Sequence, residues 1–338
     1  MADTLIPVTI LTGFLGAGKT TLLNRALSHA EFENAAVLIN EFGEVSVDHL
    51  IVAAVSDDVT ELADGCMCCA VRGRMVDALR DLAARDKKPD RVIIETSGLA
   101  DPAPVAEALL RDDELSRHFA PARIVTVVNL AETEAQLADY PEAERQIALA
   151  DVVILTRAER LDETVRHGAA ARIAALNPAA DLIADPSGNE LAGLLTGSAS
   201  KTVGLPRTDA AHHHAHGTAT STIVREPQPV QLAVITGFCD WLISRPDFRL
   251  LRLKGTVATP QGAYLLQAVG RTLETPQLLI RQDAAEPGTM LVIIGEGLDA
   301  ATIEDAFSGF IGRPVLDRPD RTALQDNPLS VAGFSFNP

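Results

Sequence analysis

The sequence predicts an α/β fold: a mainly parallel sheet covered by helices, followed by a smaller C-terminal α+β domain. Three observations carry this expectation. At 338 residues the chain is longer than one hydrophobic core usually organises, so two domains are expected. In the first half, short apolar runs ending in polar or glycine-rich turns alternate with helical stretches, as buried parallel strands and their crossover helices do. In the last third, strand-like runs mostly follow one another directly, which suggests an antiparallel sheet.

Taken in order, the strands of the first domain are expected at Val8 to Leu11, Val37 to Asn40, Val92 to Glu95, Ile124 to Val128 and Val152 to Leu155. Helices are expected at Thr20 to His29, Met75 to Ala84, Pro102 to Leu110 and Glu142 to Ala148. Around Asp185 to Val224 the composition turns to Ser, Thr, Gly, Ala and Pro, which reads as a linker. Beyond it, strands are expected at Val230 to Ile235, Leu250 to Val257, Ala263 to Leu273, Leu278 to Ile280 and Met290 to Ile294, with helices near Cys239 to Ser244 and Thr302 to Phe310. The division that results is a first domain over 1–185, a linker over 186–222, a second domain over 223–316 and an extended tail over 317–338.

Composition excludes several classes. With 47% apolar and 22% charged residues the chain is ordinary globular material. Its 46 acids against 29 Lys and Arg, net −17, disfavour nucleic acid as a partner, because that binding comes from neutralising phosphates with clustered cations. No Lys or Arg precedes Lys19, so the start lacks the cationic region of a secretory signal, and no apolar run approaches the roughly 20 residues that span a bilayer. A soluble cytoplasmic protein with no membrane partner is the expectation.

Gly13 to Thr20 fits G-x-x-x-x-G-K-[ST], placed after an apolar strand and before a helix, and this makes the first domain a P-loop NTPase domain. Glycines at 13, 16 and 18 let successive N–H groups turn inward onto phosphate oxygens, at the positive end of the following helix. Lys19 would reach the β- and γ-phosphates and the Thr20 hydroxyl would bind Mg²⁺, with Ala17 and Thr21 among the nucleotide contacts. A magnesium-linked phosphate site needs a carboxylate at a neighbouring strand end. Glu95 supplies it, and Gly98 follows with an N–H placed to sense the γ-phosphate. The catalytic set expected is therefore Lys19, Thr20 and Glu95.

Of four cysteines, three crowd into Cys66, Cys68 and Cys69, too few for a disulfide scaffold. Three thiolates suit a soft or borderline cation such as Zn²⁺ or Cu(I), and a shell of three sulfurs completed by water or a carboxylate suits a site that must release its metal. A dithiol redox pair and inert buried thiols are the alternatives. Glu41 and Glu44, in the loop Asn40 to Asp48, could complete either the magnesium or the thiolate shell. His212, His213, His214 and His216 form a dense imidazole tract, read as an auxiliary metal-capture segment or as a drifting linker. Cys239 is read as a core residue.

Taken together, these residues resemble the CobW-type P-loop GTPases (CobW/HypB/UreG-like), a family associated with metal insertion and zinc homeostasis. The cradle, the Asn-Glu-Phe-Gly-Glu stretch at 40–44, Gly-Cys-x-Cys-Cys at 65–69, Glu-Thr-Ser-Gly-Leu-Ala-Asp-Pro at 95–102, the His-rich linker and Arg252-Leu253-Lys254-Gly255 carry the resemblance. It implies binding of GTP and GDP, a zinc site, with cobalt or another transition metal as alternative, coupled to nucleotide state, and a C-terminal domain that meets a client metalloprotein. A homo-oligomer is compatible with it. Family members usually read guanine with Asn-Lys-x-Asp, whereas this chain has Thr156, Arg157, Ala158 and Glu159. Glu159 keeps the carboxylate one methylene further out, and Arg157 can still stack on a base. A bidentate pair is worth about 1–3 kcal/mol of base discrimination, so the change would weaken or broaden specificity, leaving GTP against ATP open. Asn129 stands where the family commonly has Asp. The leading expectation is a GTP-hydrolysing metallochaperone. A metal-buffering or regulatory protein with weak NTPase activity is the alternative, and a small-metabolite kinase leaves the thiolates unexplained.

Overall fold

A computed structural model describes residues 5–39, 59–61, 68–197, 219–279, 288–297 and 299–313. In the first domain the strands are β1 (Val8–Thr12), β2 (Ala35–Ile39), β3 (Val59–Glu61), β4 (Arg91–Glu95), β5 (Arg123–Asn129), β6 (Val152–Thr156) and β7 (Asp181–Ala184). The helices between them are α1 (Lys19–Leu27), α2 (Cys68–Ala84), α3 (Ala103–Arg111), α4 (Leu115–His118), α5 (Thr133–Asp139), α6 (Pro141–Leu149), α7 (Glu163–Leu176) and α8 (Gly188–Thr196). The sheet runs β3-β2-β4-β1-β5-β6-β7, and every pairing in it is parallel. The expected α/β class is observed.

Alternate residues of each strand feed two different cores, as the pleat requires. Val8, Ile10, Val92 and Ile94 pack with Met75, Leu79 and Leu109 of α2 and α3 on one face. Leu11, Val37, Ile93 and Val125 pack with Leu22, Leu23, Leu191 and Leu195 of α1 and α8 on the other. Because both faces are covered, the strands read as unbroken apolar runs. β1 lies between β4 and β5; the chain leaves β1 towards β2 on one side and leaves β4 towards β5 on the other, so the crevice at the carboxyl ends of β1 and β4 is a topological switch point.

The second domain is a six-stranded antiparallel sheet. Its strands are β8 (Ala219–Glu226), β9 (Arg249–Thr259), β10 (Gly262–Val269), β11 (Thr272–Leu273), β12 (Gln277–Leu278) and β13 (Thr289–Glu296), in the order β11-β10-β9-β13-β8 with β12 on β10. α9 (Leu232–Ser244) and α10 (Ala300–Phe310) cover one face. Two expectations are corrected here. Val230 to Ile235 is not a strand: Leu232 opens α9, which buries Ile235, Phe238, Cys239 and Leu242, a helical spacing, against the sheet. The stretch read as linker holds α8, whose Leu191 and Leu195 are needed to cover the first sheet, and the start of β8. Cys239 is a core residue with no exposed surface, and burial with the nearby charge of Asp240 pushes its thiol up to about 12.

The two sheets share apolar packing, since Leu251, Val292 and Ile294 join Ala143, Ile147 and Ile173 in one cluster. At its edge Asp151, just before β6, meets two cations of β9: Lys254 donates to its Oδ1 at 3.1 Å, and Arg252 makes a short bond to the same oxygen. Burial alone would raise the Asp151 carboxyl, but Arg252, Lys254 and the Ile124 N–H outweigh it and hold it at about 2. Among the described residues, no helix is long and apolar enough to cross a membrane.

Candidate nucleotide site

The cradle follows β1 directly. Gly13, Gly16 and Gly18 take φ of 141°, 72° and 101°, backbone that side chains rarely adopt. At Gly13 a Cβ would lie 2.1 Å from the Val127 carbonyl of β5, so the loop can pass only as glycine. Gly18 then caps α1, which presents its first N–H groups to the loop. The Lys19 ammonium donates to the Gly13 carbonyl at 3.0 Å and so lies over the cradle.

Parallel register sets Leu11 of β1 beside Glu95 of β4, and this brings the strand-end carboxylate to the start of α1. The Thr20 hydroxyl donates to Glu95 Oε1 at 2.6 Å, and Glu95 is only 4% exposed. A hydroxyl and a carboxylate oxygen this close form the hard oxygen set that Mg²⁺ prefers. Gly98 approaches the cradle so tightly that a Cβ would meet the Leu15 backbone N at 2.7 Å. The segment is held from behind by Gln146 of α6, whose Nε2 donates to the carbonyls of Gly98 and Ala100 at 3.1 and 3.0 Å. It ends at Asp101, which pairs with Arg249 of β9 at 2.9 Å beside an interdomain cavity of about 420 Å³.

A second cavity, about 450 Å³, opens on the other side of α1 between Ala17, Gly18, Thr21 and Leu22 and the turn after β6. Thr156 contributes a strut: its hydroxyl bonds the Ala17 carbonyl at 2.9 Å and lies 3.3 Å from that of Val128. Arg157 donates to the Gly16 carbonyl at 3.2 Å and faces Glu132 at 3.7 Å, while Glu159 faces Arg160 at 3.5 Å. Asn129, buried, uses Oδ1 to accept the Ala131 N–H at 3.2 Å and caps the turn after β5, a role for which a neutral amide suffices.

The structure thus gathers Gly13, Gly16, Ala17, Gly18, Lys19, Thr20, Glu95 and Gly98 at one strand end, and Thr21, Thr156, Arg157 and Glu159 around the adjoining cavity. Sequence gives no sign of Gln146 and includes Asp101 only as part of the 95–102 motif, without a role; their bonds reach across 46 and 148 positions. Glu41, Glu44, Cys66 and the four clustered histidines lie outside the described residues. Cys68 and Cys69 open α2, and of them only the backbone is described.

Residues 7–184 match the family model CobW/HypB/UreG, nucleotide-binding domain, and residues 219–311 match the cobalamin synthesis protein cobW C-terminal domain. The chain is 34% identical to a protein named zinc chaperone CobW from Pseudomonas aeruginosa, over 88% of this chain and 89% of that one. It is 30% identical to zinc chaperone YjiA of Escherichia coli, over 90% and 98% respectively. The crystal structure of Zn(II)-bound YjiA GTPase from E. coli superposes with a TM-score of 0.70 at 24% identity, covering 91% of this chain and 99% of that one.

Proposed function

The chain belongs to the CobW family of nucleotide-binding proteins, and on that premise we propose that it binds and hydrolyses GTP and delivers zinc, or a similar transition metal, to a client protein. The observation that carries the nucleotide half is the 2.6 Å bond between the Thr20 hydroxyl and buried Glu95 above a glycine cradle. The zinc half is supported by the relatives that align over most of the chain and are named zinc chaperones, and by the Cys66, Cys68 and Cys69 cluster.

In this reading the cradle amides and Lys19 bind the β- and γ-phosphates and hold them in line for attack by water. Thr20 and Glu95 would hold Mg²⁺, which would supply charge that neutralises the phosphates. The Gly98 N–H senses the γ-phosphate, and the segment it belongs to runs on to Asp101 and Arg249, so loss of that phosphate is felt in the second domain. Zinc is the cargo, held by the three cysteines and released on loss of the γ-phosphate.

Zinc affinity measured in the nucleotide-free, GDP and GTP-analogue forms tests the coupling. GTP analogue and GDP are expected to differ in their effect, and reciprocity requires zinc to change nucleotide affinity by the same factor. Equal zinc affinity in all three forms overturns it. A buffering protein with weak hydrolysis is the second reading, favoured by the altered base-reading segment, where Glu159 is engaged with Arg160. No turnover of GTP or ATP, with or without zinc, would decide for it.

A further inference from the structure

We infer that Asp185 selects the purine, its carboxylate accepting both the N1–H and the 2-amino group of guanine. The inference rests on the GTP-binding reading of the same site and names a residue that the sequence motif does not.

A nucleotide with its phosphates in the cradle lays its base beside the first turns of α1, where the cavity of about 450 Å³ lies between Gly18, Thr21 and Arg25 on one side and Arg157, Glu159 and Asp185 on the other. Among the described residues, two non-glycine residues have positive φ: Arg157 at 59° and Asp185 at 42°. Both line this one cavity. Strain of this kind persists where the surroundings enforce it, and it gathers at ligand sites.

The enforcing contacts at Asp185 are explicit. Its N–H donates to the Leu155 carbonyl at 3.1 Å. Arg25 of α1 donates to the neighbouring Pro186 carbonyl at 3.0 Å. Gly188 packs so closely on α1's end that a Cβ would lie 2.8 Å from His29 Nε2. The turn is therefore clamped to the helix that begins at the cradle. A short side chain on a clamped turn is a preorganised acceptor, with one torsion fewer to fix than glutamate has. Glu159 and Asp185 are both exposed, but Glu159 faces Arg160 at 3.5 Å, whereas no ion pair engages Asp185 among the described residues.

The chemistry is specific. Guanine offers two adjacent N–H donors at this edge, and adenine does not. Xanthine replaces the 2-amino group by a carbonyl. An asparagine amide would then accept N1–H and donate to that carbonyl, so D185N should exchange one base for the other. Asparagine tolerates left-handed backbone, which keeps the turn.

The test is calorimetric titration of the full chain, D185N and E159Q with GDP, XDP and ADP, with thermal midpoints recorded alongside. The native protein is expected to bind GDP most tightly, and D185N to lose about 10- to 100-fold in GDP affinity and to prefer XDP. E159Q is expected not to create an XDP preference. If D185N keeps its GDP preference, or melts normally yet binds neither guanine nor xanthine nucleotide, or if E159Q makes the exchange, the assignment to Asp185 is overturned. Failure of the native protein to bind GDP would overturn the GTP-binding reading itself, a different result from any of these.

Discussion

Glu95 is the residue on which most of the site turns. Its carboxylate is buried, receives the Thr20 hydroxyl, and sits at a strand end fixed by parallel register. Glu95→Gln keeps the shape and removes the charge. GTP turnover is expected to fall on the order of 100-fold, with a raised magnesium requirement, measured by phosphate release across a magnesium titration. A variant that hydrolyses GTP at the native rate would remove Glu95 from the machinery. The cradle was legible in sequence because its contiguous residues act through their backbone. Thr156 was legible only as a departure from a motif. That its hydroxyl braces Ala17, 139 positions away, is a fact of sheet order that local pattern does not encode.

Among elements, α8 shows how composition misleads. Its stretch looked like linker because Ser, Gly and Thr surround it, yet those residues include a capping box. The Ser187 hydroxyl accepts the Glu190 N–H at 3.4 Å, and Glu190 returns a carboxylate to the Ser187 N–H at 2.9 Å. The helix so started covers the first sheet with Leu191 and Leu195. Ser187→Ala is expected to cost about 1 kcal/mol, read as a lower denaturant midpoint at unchanged slope. The buried parallel strands were readable because apolar runs of that length bounded by turns have few other solutions. At Val230 to Ile235, β-branched residues suggested a strand, although Ile235, Phe238, Cys239 and Leu242 already carried the helical period. Val230 to Ile235 spans less than two helical turns, too little for a 3.6-residue period to show.

For the whole molecule, the decisive feature is the charged cluster between the sheets. Glu274, 8% exposed, joins Asp151, Arg252 and Lys254, and burial pushes its carboxyl up to about 7 against the pull of Arg252. A raised carboxyl favours the folded state while it stays protonated. Its contribution is therefore full below the ordinary value of 4.5 and is lost as pH rises through about 7. Glu274→Gln should flatten the dependence of thermal midpoint on pH across that window; an unchanged slope would assign it elsewhere. Asp151 works in the opposite sense, contributing above its ordinary 3.8 and losing that contribution as pH falls toward about 2. Breaking such a pair by removing one partner leaves a buried charge uncompensated, at about 3–5 kcal/mol. The second domain is accordingly not an interchangeable attachment. A chimera that joined this nucleotide-binding half to a C-terminal half lacking the cations at positions 252 and 254 would leave Asp151 buried without its counterions, so the Arg252-x-Lys254 pair is what makes the two halves fit each other.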